Sequence, residues 1–442
     1  MKAPDQRTTA NVPGRRWRIA WLLGIGVLVN YFDRVNLSVS HDSLIAAFGI
    51  SNIAFGYLSS AYNWTYAACQ LPIGVLLDKF GVKRIGRVGI FLWSAASFAA
   101  AITPNLGGLF GARLLLGVGE APTFPANAKA IGLWFPPQER SLATSMFDAA
   151  AKFSSAIGVP IIGIALLLAG WRWSFALTGV ISVAYLLYFW RVYKDPDHDL
   201  KLTRIERHYI EDTVEGAELR RPVDGEQTSL GRLILRRKVL GLTLGFGAYN
   251  YVFYLLIAWL PSYLSLALHI DLLHSFLYTS VPWIFATFTD VAIGGWLVDF
   301  LVKSGRNAST VRRVILIGGT TFGLGLLGAA HAHTPTRALI WISISIGGLA
   351  AAAPVGWSLP SLIASPNDVG KVAGIMNFFS QVSGIAAQIL TGYLVTAFHS
   401  YALAFGVAGA YLAIGVAAYI FMLGKIERTP DGNPGRLQEG TP

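Results

Sequence analysis

The chain has 442 residues, of which 54% are hydrophobic and only 13% are charged, and its mean hydropathy is +0.52. Because soluble domains carry about 25% charged residues, these values exclude an ordinary soluble enzyme and a disordered chain. They predict an all-α polytopic protein whose main partner is the lipid bilayer. The net charge of +11 is explained by basic loops beside a membrane, so no nucleic-acid partner is expected. Residues 1–16 form a polar tail without a signal-peptide pattern.

Twelve apolar stretches follow, and each is read as a transmembrane helix. They are predicted at 17–39, 53–77, 88–103, 107–133, 143–168, 172–192, 239–268, 273–299, 313–331, 337–364, 371–398 and 401–423. A polar central segment, 193–238, separates a six-helix bundle at 17–192 from a second at 239–423, and residues 424–442 form a second tail. Within the central segment, Thr203–Val214 has helical spacing, which predicts a short amphipathic helix in a linker or along the membrane surface.

Basic residues orient these spans. Only Arg172 and Arg337 fall near one set of loops, whereas most of the 35 Lys and Arg residues fall at the other. Cytoplasmic loops are enriched in these residues. The distribution therefore predicts a multi-pass protein of a cell inner membrane with both termini and the central segment in the cytoplasm.

The two halves show a weak internal repeat. Gly74–Arg84 follows the second span and Gly294–Arg306 follows the eighth, and both contain an Asp followed by basic residues. Two repeated six-helix bundles with a substrate site between them are typical of secondary transporters.

Four motifs resemble the major facilitator superfamily and, within it, the anion:cation symporter family. They are Asn30–Ser38 in the first span, Gly74–Arg84, Arg113–Pro125 with Trp134–Arg140, and Trp259–Leu264 in the seventh span. The resemblance covers nearly the whole chain. It implies two six-helix bundles that alternate access to a small organic anion.

Ionisable residues inside the spans mark the candidate site, because each costs about 2.5–3.5 kcal/mol to insert. They are Asp33, Arg34, Arg113, Glu120, Asp148, Lys152 and Asp290. Asp33 and Arg34 are neighbours that can face different partners. Arg113 and Glu120 are seven residues apart and so lie on nearly the same helical face. A carboxylate beside an arginine can exchange its proton when a substrate anion competes for the guanidinium.

The resemblance implies specific roles for this set. Asp33 and Glu120 match carboxyls that couple protons to transport, and Arg34 and Arg113 match arginines that bind the anion. The alternative is a purely structural pair, Asp33–Arg113 or Arg113–Glu120.

Two tyrosines extend the candidate site. Tyr31 and Tyr66 match substrate-facing positions of the family, and the alternative for them is aromatic packing. Tyr249, Asn250 and Tyr254 are weaker lining candidates.

Lys152 departs from the family pattern, which has uncharged polar residues at this place. A further cation would suit a diacid such as an aldarate, an aromatic dicarboxylate or a sulfocarboxylate. The alternative is a structural pair with Asp148 at i,i+4. Asp290 has no role that the resemblance implies beyond a hydrogen bond to a neighbouring helix.

In the second half, the resemblance implies that Asn377 contacts the substrate, whereas Trp357 is a candidate apolar wall. The alternatives are a helix–helix hydrogen bond and packing beside a Pro/Gly break.

A separate set is interpreted as a cytoplasmic gate, with a topology signal as the alternative. Its members are Gly74, Asp78, Gly81, Arg84 and Arg140.

Together these patterns predict a monomeric importer of a small organic anion driven by protons. An exchanger or exporter of the same fold, or a non-transporting sensor, remains as an alternative. No nucleophile–base pair predicts an enzyme. His331 and His333 have no third ligand nearby, so no metal site and no cofactor are expected.

Overall fold

A computed structural model describes residues 12–136, 139–212, 229–332, 334–365 and 368–427, without the side chains of residues 71, 78, 140, 141, 211 and 212. The described part consists of helices and connecting turns. The α-helices are α1 (Arg15–Val39), α2 (His41–Phe48), α3 (Asn52–Ile102), α4 (Leu106–Glu120), α5 (Thr123–Trp134), α6 (Arg140–Ala169), α7 (Trp171–Val192), α8 (Arg204–Asp212), α9 (Leu230–Leu235), α10 (Arg237–Ser262), α11 (Leu272–Thr289), α12 (Val298–Lys303), α13 (Ala308–Phe322), α14 (Leu326–Ala330), α15 (Pro335–Ile363), α16 (Val369–Phe398) and α17 (Ala402–Ala418). Short π-helical stretches, Tyr263–Ala267, Asp290–Leu297 and Tyr419–Leu423, continue α10, α11 and α17.

The described helices confirm the predicted all-α polytopic fold class. In the described ranges, nine helical segments are long and apolar enough to span a bilayer by themselves, and a tenth is the bent pair α2 with the start of α3. We assign α1, which contains Asp33 and Arg34, and the broken pair of α4 and α5 to the two remaining predicted spans.

α3 contains two crossings joined at Gly81, where the backbone has φ 76° and ψ 166°. This conformation is open almost only to glycine. Gly305 has φ 87° in the turn after α12, at the related place in the second half. The break at Gly81 lies inside the predicted loop motif.

Two sides of the bundle are distinguished below. The central-loop side is the side where α1 begins and where the central segment lies, and the other is the opposite side. On the opposite side, α3 and α16 are in close contact. A Cβ on Gly56 would lie 2.7 Å from the carbonyl oxygen of Gln388, and one on Gly392 would lie 2.5 Å from that of Asn52. Small residues permit this approach, and the structure is therefore closed on the opposite side.

The central segment is anchored rather than loose where it is described. Glu206 of α8 is fully buried and accepts hydrogen bonds from the backbone nitrogens of Arg15 and Arg16 at the start of α1. The side chain of Arg16 also pairs with Glu139 at 2.6 Å. Arg15 pairs with Asp199 at 2.7 Å. The short helix expected at 203–214 is present over Arg204–Asp212 and docks on the first bundle, and residues 213 and 214 lie outside the described ranges.

Candidate functional site

A cavity with about 320 Å³ of empty space lies between the two halves. Its walls come from α1, α3 and α4 on one side and from α10 and α16 on the other. The lining residues are Arg34, Ser38, Ser59, Tyr62, Asn63, Arg113, Tyr254, Ile257, Ala258 and Gln388. Two cations therefore face a site at the interface of the bundles.

Arg34 is held in place by one carboxylate and three aromatic rings. Its Nε donates to Glu120 Oε2 at 2.9 Å. Its guanidinium carbon lies 4.3 Å from the ring centre of Tyr31, 4.7 Å from Tyr62 and 5.4 Å from Tyr66. Cation–π contacts of this kind are strongest when desolvated. The structure thus places both predicted tyrosines, Tyr31 and Tyr66, against the predicted anion-binding arginine.

Asp33 points away from Arg34, as expected for successive residues of a helix. Its carboxylate accepts hydrogen bonds from Ser97 Oγ at 2.6 Å and from Ser182 Oγ at 3.2 Å. Arg113 contacts the backbone of the same residue, since its Nη1 donates to the Asp33 carbonyl oxygen at 3.2 Å. Neither Asp33–Arg113 nor Arg113–Glu120 is a side-chain ion pair here. Glu120 is instead paired with Arg34.

Several polar atoms of this network retain hydrogen-bonding capacity. Arg34 Nη2, Arg113 Nε and Glu120 Oε1 are buried and make no hydrogen bond within the described ranges. Buried polar groups are normally satisfied. Two free N–H donors beside a cavity can bind an oxyanion, and a free carboxylate oxygen can accept a proton.

A chain of amides closes the cavity toward the second half. Asn63 Nδ2 donates to Gln381 Oε1 at 2.8 Å, and Gln388 Nε2 donates to Asn63 Oδ1 at 3.0 Å. The hydroxyl of Tyr254 donates to the same oxygen of Gln381 at 3.1 Å. These contacts link α3 to α16 and α10, and they surround the cavity with hydroxyl and amide groups.

Lys152 is not among the residues that line this cavity. Its Nζ lies 2.7 Å from Asp148 Oδ2 and 2.5 Å from Asp290 Oδ2. We refer to Lys152, Asp148 and Asp290 as the charge triad. The arrangement favours the structural alternative considered for Lys152 and supplies the partner that the sequence did not reveal for Asp290.

The other predicted binding residues lie in the second half. Asn377 Nδ2 donates to Gln70 Oε1 at 3.1 Å, so it joins α16 to α3. Trp357 is 39% exposed and packs edge-on against Phe246 at 4.9 Å. Neither residue lines the cavity in this conformation.

Four of the predicted gate residues, Gly74, Asp78, Gly81 and Arg84, lie in α3 around the Gly81 break, whereas Arg140 begins α6. Arg84 is exposed, and no described neighbour lies within 4 Å of a Cβ built on Gly74. The side chains of Asp78 and Arg140 lie outside the described residues, as does His333 of the His-x-His pair.

Sequence reasoning missed the uncharged part of the site. Tyr62, Asn63, Gln381 and Gln388 were passed over because only ionisable residues were treated as costly in a span. A usable signal existed, since Gln381 and Gln388 are seven residues apart and therefore share one face of α16.

Comparison with known proteins decides the family. The family model described as Major Facilitator Superfamily matches residues 23–311. The chain belongs to the Major Facilitator Superfamily. It is 38% identical over 424 residues to an uncharacterised transporter of Bacillus subtilis, YybO, with 94% of this chain and 96% of the relative covered. It is 30% identical over 433 residues to a D-galactonate transporter of Escherichia coli O6:H1, with 96% and 99% covered.

The fold of this chain is similar to that of a solved structure over nearly its whole length. A xylose transporter of E. coli in a partially occluded inward-open conformation has a TM-score of 0.74 at 15% identity, covering 95% of this chain and all of that chain. At this identity the likeness shows the fold alone. Membership of the Major Facilitator Superfamily makes the chain a multi-pass membrane transporter and not an enzyme. The resemblance predicted from its motifs is confirmed.

Proposed function

We propose that this transporter imports a small organic anion together with protons across a cell inner membrane, with the central-loop side in the cytoplasm. The observation that carries the proposal is Arg34. A buried guanidinium at the cavity wall has one internal carboxylate partner, Glu120, and a free N–H donor. An incoming carboxylate competes with Glu120 for this cation.

Charge balance explains why the anion and the proton bind together. Asp33, Glu120, Arg34 and Arg113 sum to zero when all four are ionised. Binding an anion leaves one excess negative charge in a buried site, which is costly. A proton on Glu120 or Asp33 removes that charge and frees Arg34 to form a bidentate pair with the substrate. Anion and proton therefore bind together.

The lining groups indicate the substrate class. Ser59, Tyr62, Asn63, Tyr254 and Gln388 supply hydroxyl and amide groups around the two arginines. Such groups bind substrate hydroxyls, and a site built for hydroxyls discriminates against analogues that lack them. We therefore propose a hydroxylated carboxylate of sugar-acid size. The similarity to a D-galactonate transporter supports this class.

The transport cycle follows from the contacts between the halves. The opposite side is closed by α3 against α16, and opening it requires these helices to separate. Rocking of one bundle against the other around the cavity exposes Arg34 and Arg113 to each side in turn. The substrate site requires one copy of the chain, and we propose that it acts as a monomer.

The test is uptake into liposomes containing the purified protein, with the interior alkaline. Labelled aldonates, aldarates, aromatic carboxylates and sulfocarboxylates are compared with and without a proton ionophore. We expect accumulation of a hydroxylated carboxylate that collapses with the ionophore. Ionophore-insensitive flux of equal size in both directions would instead indicate an exchanger or facilitator.

A further inference from the structure

The charge triad is a second group of buried ionisable residues, outside the cavity. Lys152 and Asp148 belong to α6 of the first half, whereas Asp290 begins the π-helical stretch after α11 in the second half. At 1.5 Å per residue, Lys152 lies about 18 Å along α6 from its start, close to mid-depth. The side chains of Lys152, Asp148 and Asp290 are 3%, 12% and 0% exposed. The Lys152–Asp290 contact thus bridges the two bundles.

Charge balance separates the triad from the central network. Two carboxylates and one ammonium carry a net charge of −1 when all are ionised. The four charged residues of the central network are balanced without any ligand. A net charge buried at membrane depth is expensive unless it is neutralised. One bound proton makes the triad neutral, and no substrate is needed for it.

Geometry selects the carboxyl that holds this proton. Asp290 Oδ1 is buried and makes no hydrogen bond among the described residues, so it has room for a proton. Asp148 lies one turn from Lys152 on the same helix, and that pair is kept however the bundles move. π-helical stretches are rare and frequent at functional sites.

We propose that Asp290 is a second proton-binding site of this transporter, and that protonation of its carboxyl releases the bridge between Asp290 and Lys152. Lys152 then keeps Asp148 as its partner within α6. Without the proton, the ion pair joins the halves. The role in transport rests on the proposed function, whereas proton binding itself does not.

The titratable groups that face Asp290 come from two helices. α6 contributes Lys152 and Asp148, and α10 contributes Tyr249, which interacts electrostatically with all three residues of the charge triad. The part of α15 that packs here, around Ala351 and Pro354, contains no titratable residue in its sequence. A titration of the triad therefore reports on these four groups.

The experiment is infrared difference spectroscopy of the substrate-free protein in lipid, between pH 8 and pH 5. The carbonyl band of a protonated carboxylic acid is recorded for the wild type, for Asp290→Asn, and for Asp148→Glu, which keeps the net charge of the triad. We expect the band in the wild type, its loss in Asp290→Asn, and its retention in Asp148→Glu, where 13C-labelled aspartate must still shift it because the introduced glutamate carries no label. A band that persists in Asp290→Asn, or one that the label no longer shifts in Asp148→Glu, would overturn the proposal. Suppression of the band by sodium at constant pH would indicate an alkali-cation site and would also overturn it.

A second arm does not depend on the folding of Asp290→Asn. In wild-type protein with 13C-labelled aspartate, the carbonyl band must shift, which assigns it to an aspartate. The band must also remain in Asp33→Asn. If either result fails, Asp290 is not the proton-binding residue. Spin labels on α6 and on α11, in a Cys69→Ser background, then report the distance between the halves. We expect this distance to change with pH in the wild type and Asp148→Glu but not in Asp290→Asn. Because these measurements need no substrate, they stand even if the uptake assay rejects proton symport.

Discussion

Glu120 and Arg34 lie 86 residues apart and form a buried ion pair, with Arg34 Nε 2.9 Å from Glu120 Oε2. Arg113, seven residues before Glu120 on α4, donates instead to the backbone carbonyl of Asp33. The two arginines therefore have different environments at one cavity. Arg34 is paired with a carboxylate side chain, whereas Arg113 donates to a backbone carbonyl, and each guanidinium keeps one buried N–H group without a partner in the described ranges.

The change Glu120→Gln tests the first of these environments. Glutamine keeps the shape of the side chain but binds no proton. We expect the variant to bind substrate and to exchange labelled for unlabelled substrate across the membrane, because both guanidiniums remain. Accumulation driven by a pH gradient should fall to the equilibrium level. The measurement is uptake with and without the gradient, and Glu427→Gln, at an exposed position after the last helix, serves as the control. Gradient-driven accumulation equal to that of the wild type would remove Glu120 from the coupling mechanism.

The change Arg113→Lys tests the second environment. Lysine retains the charge but loses the planar fork that binds a carboxylate through two N–H groups. Hydrogen bonds to charged groups contribute about 1.5–3 kcal/mol, so we expect substrate affinity to fall roughly 10- to 100-fold. Binding is measured by calorimetry on the purified protein. The matched control is Arg172→Lys, since Arg172 stacks on Trp171 at 4.2 Å, outside the cavity. Equal affinities for both variants would show that Arg113 does not contact the substrate.

The sequence predicted features that depend on neighbouring residues better than features that depend on contacts between distant helices. The length of the apolar stretches predicted the helical fold, because this signal lies within single spans. The orientation taken from the placement of Arg and Lys stays a prediction. Tertiary partners were another matter. Nothing local pairs Arg34 with Glu120, or Lys152 with Asp290, since each pair joins helices that meet only in the fold.

The short helices between the spans were predicted only in part. α2 lies in the stretch between the predicted spans 17–39 and 53–77, where no helix was predicted. Its first residue, His41, packs into a group of rings, 4.4 Å from Phe55 and 5.5 Å from Trp259. α9 was not predicted. α8 was expected, but its anchoring through Glu206 depends on Arg15 and Arg16, about 190 residues earlier.

The docking of the central segment predicts a pH-dependent stability. Burial alone would raise the pKa of Glu139, but hydrogen bonding and charge from Arg16, with a hydrogen bond from Tyr209, hold it below its usual value of 4.5. A carboxyl with a lowered pKa stabilises the folded state above its usual pKa, and this contribution is lost as pH falls through the lowered value. We expect the wild type to have a higher melting temperature than Glu139→Gln at pH 6–7.

The difference in melting temperature should shrink as the pH falls below about 4.5, where Glu139 becomes protonated. The measurement is thermal unfolding in detergent at a series of pH values for both proteins. A difference in melting temperature that stays constant down to pH 3.5 would show that the contribution of Glu139 to stability does not depend on its charge.

The close approach of α3 and α16 predicts which variant cannot close the opposite side. A Cβ on residue 56 would lie 2.7 Å from the backbone carbonyl oxygen of Gln388. This contact is too short, and a helix backbone cannot move aside as easily as a side chain. We expect Gly56→Val to disfavour this conformation and to reduce the uptake rate at least about tenfold, because every cycle passes through it. Gly406→Val is the matched control, since no described atom lies within 4 Å of a Cβ there.

Accessibility of a cysteine placed at Ser59 to a reagent added from the opposite side should rise in Gly56→Val alone. Unchanged accessibility together with normal uptake would mean that α3 and α16 need not touch in the cycle.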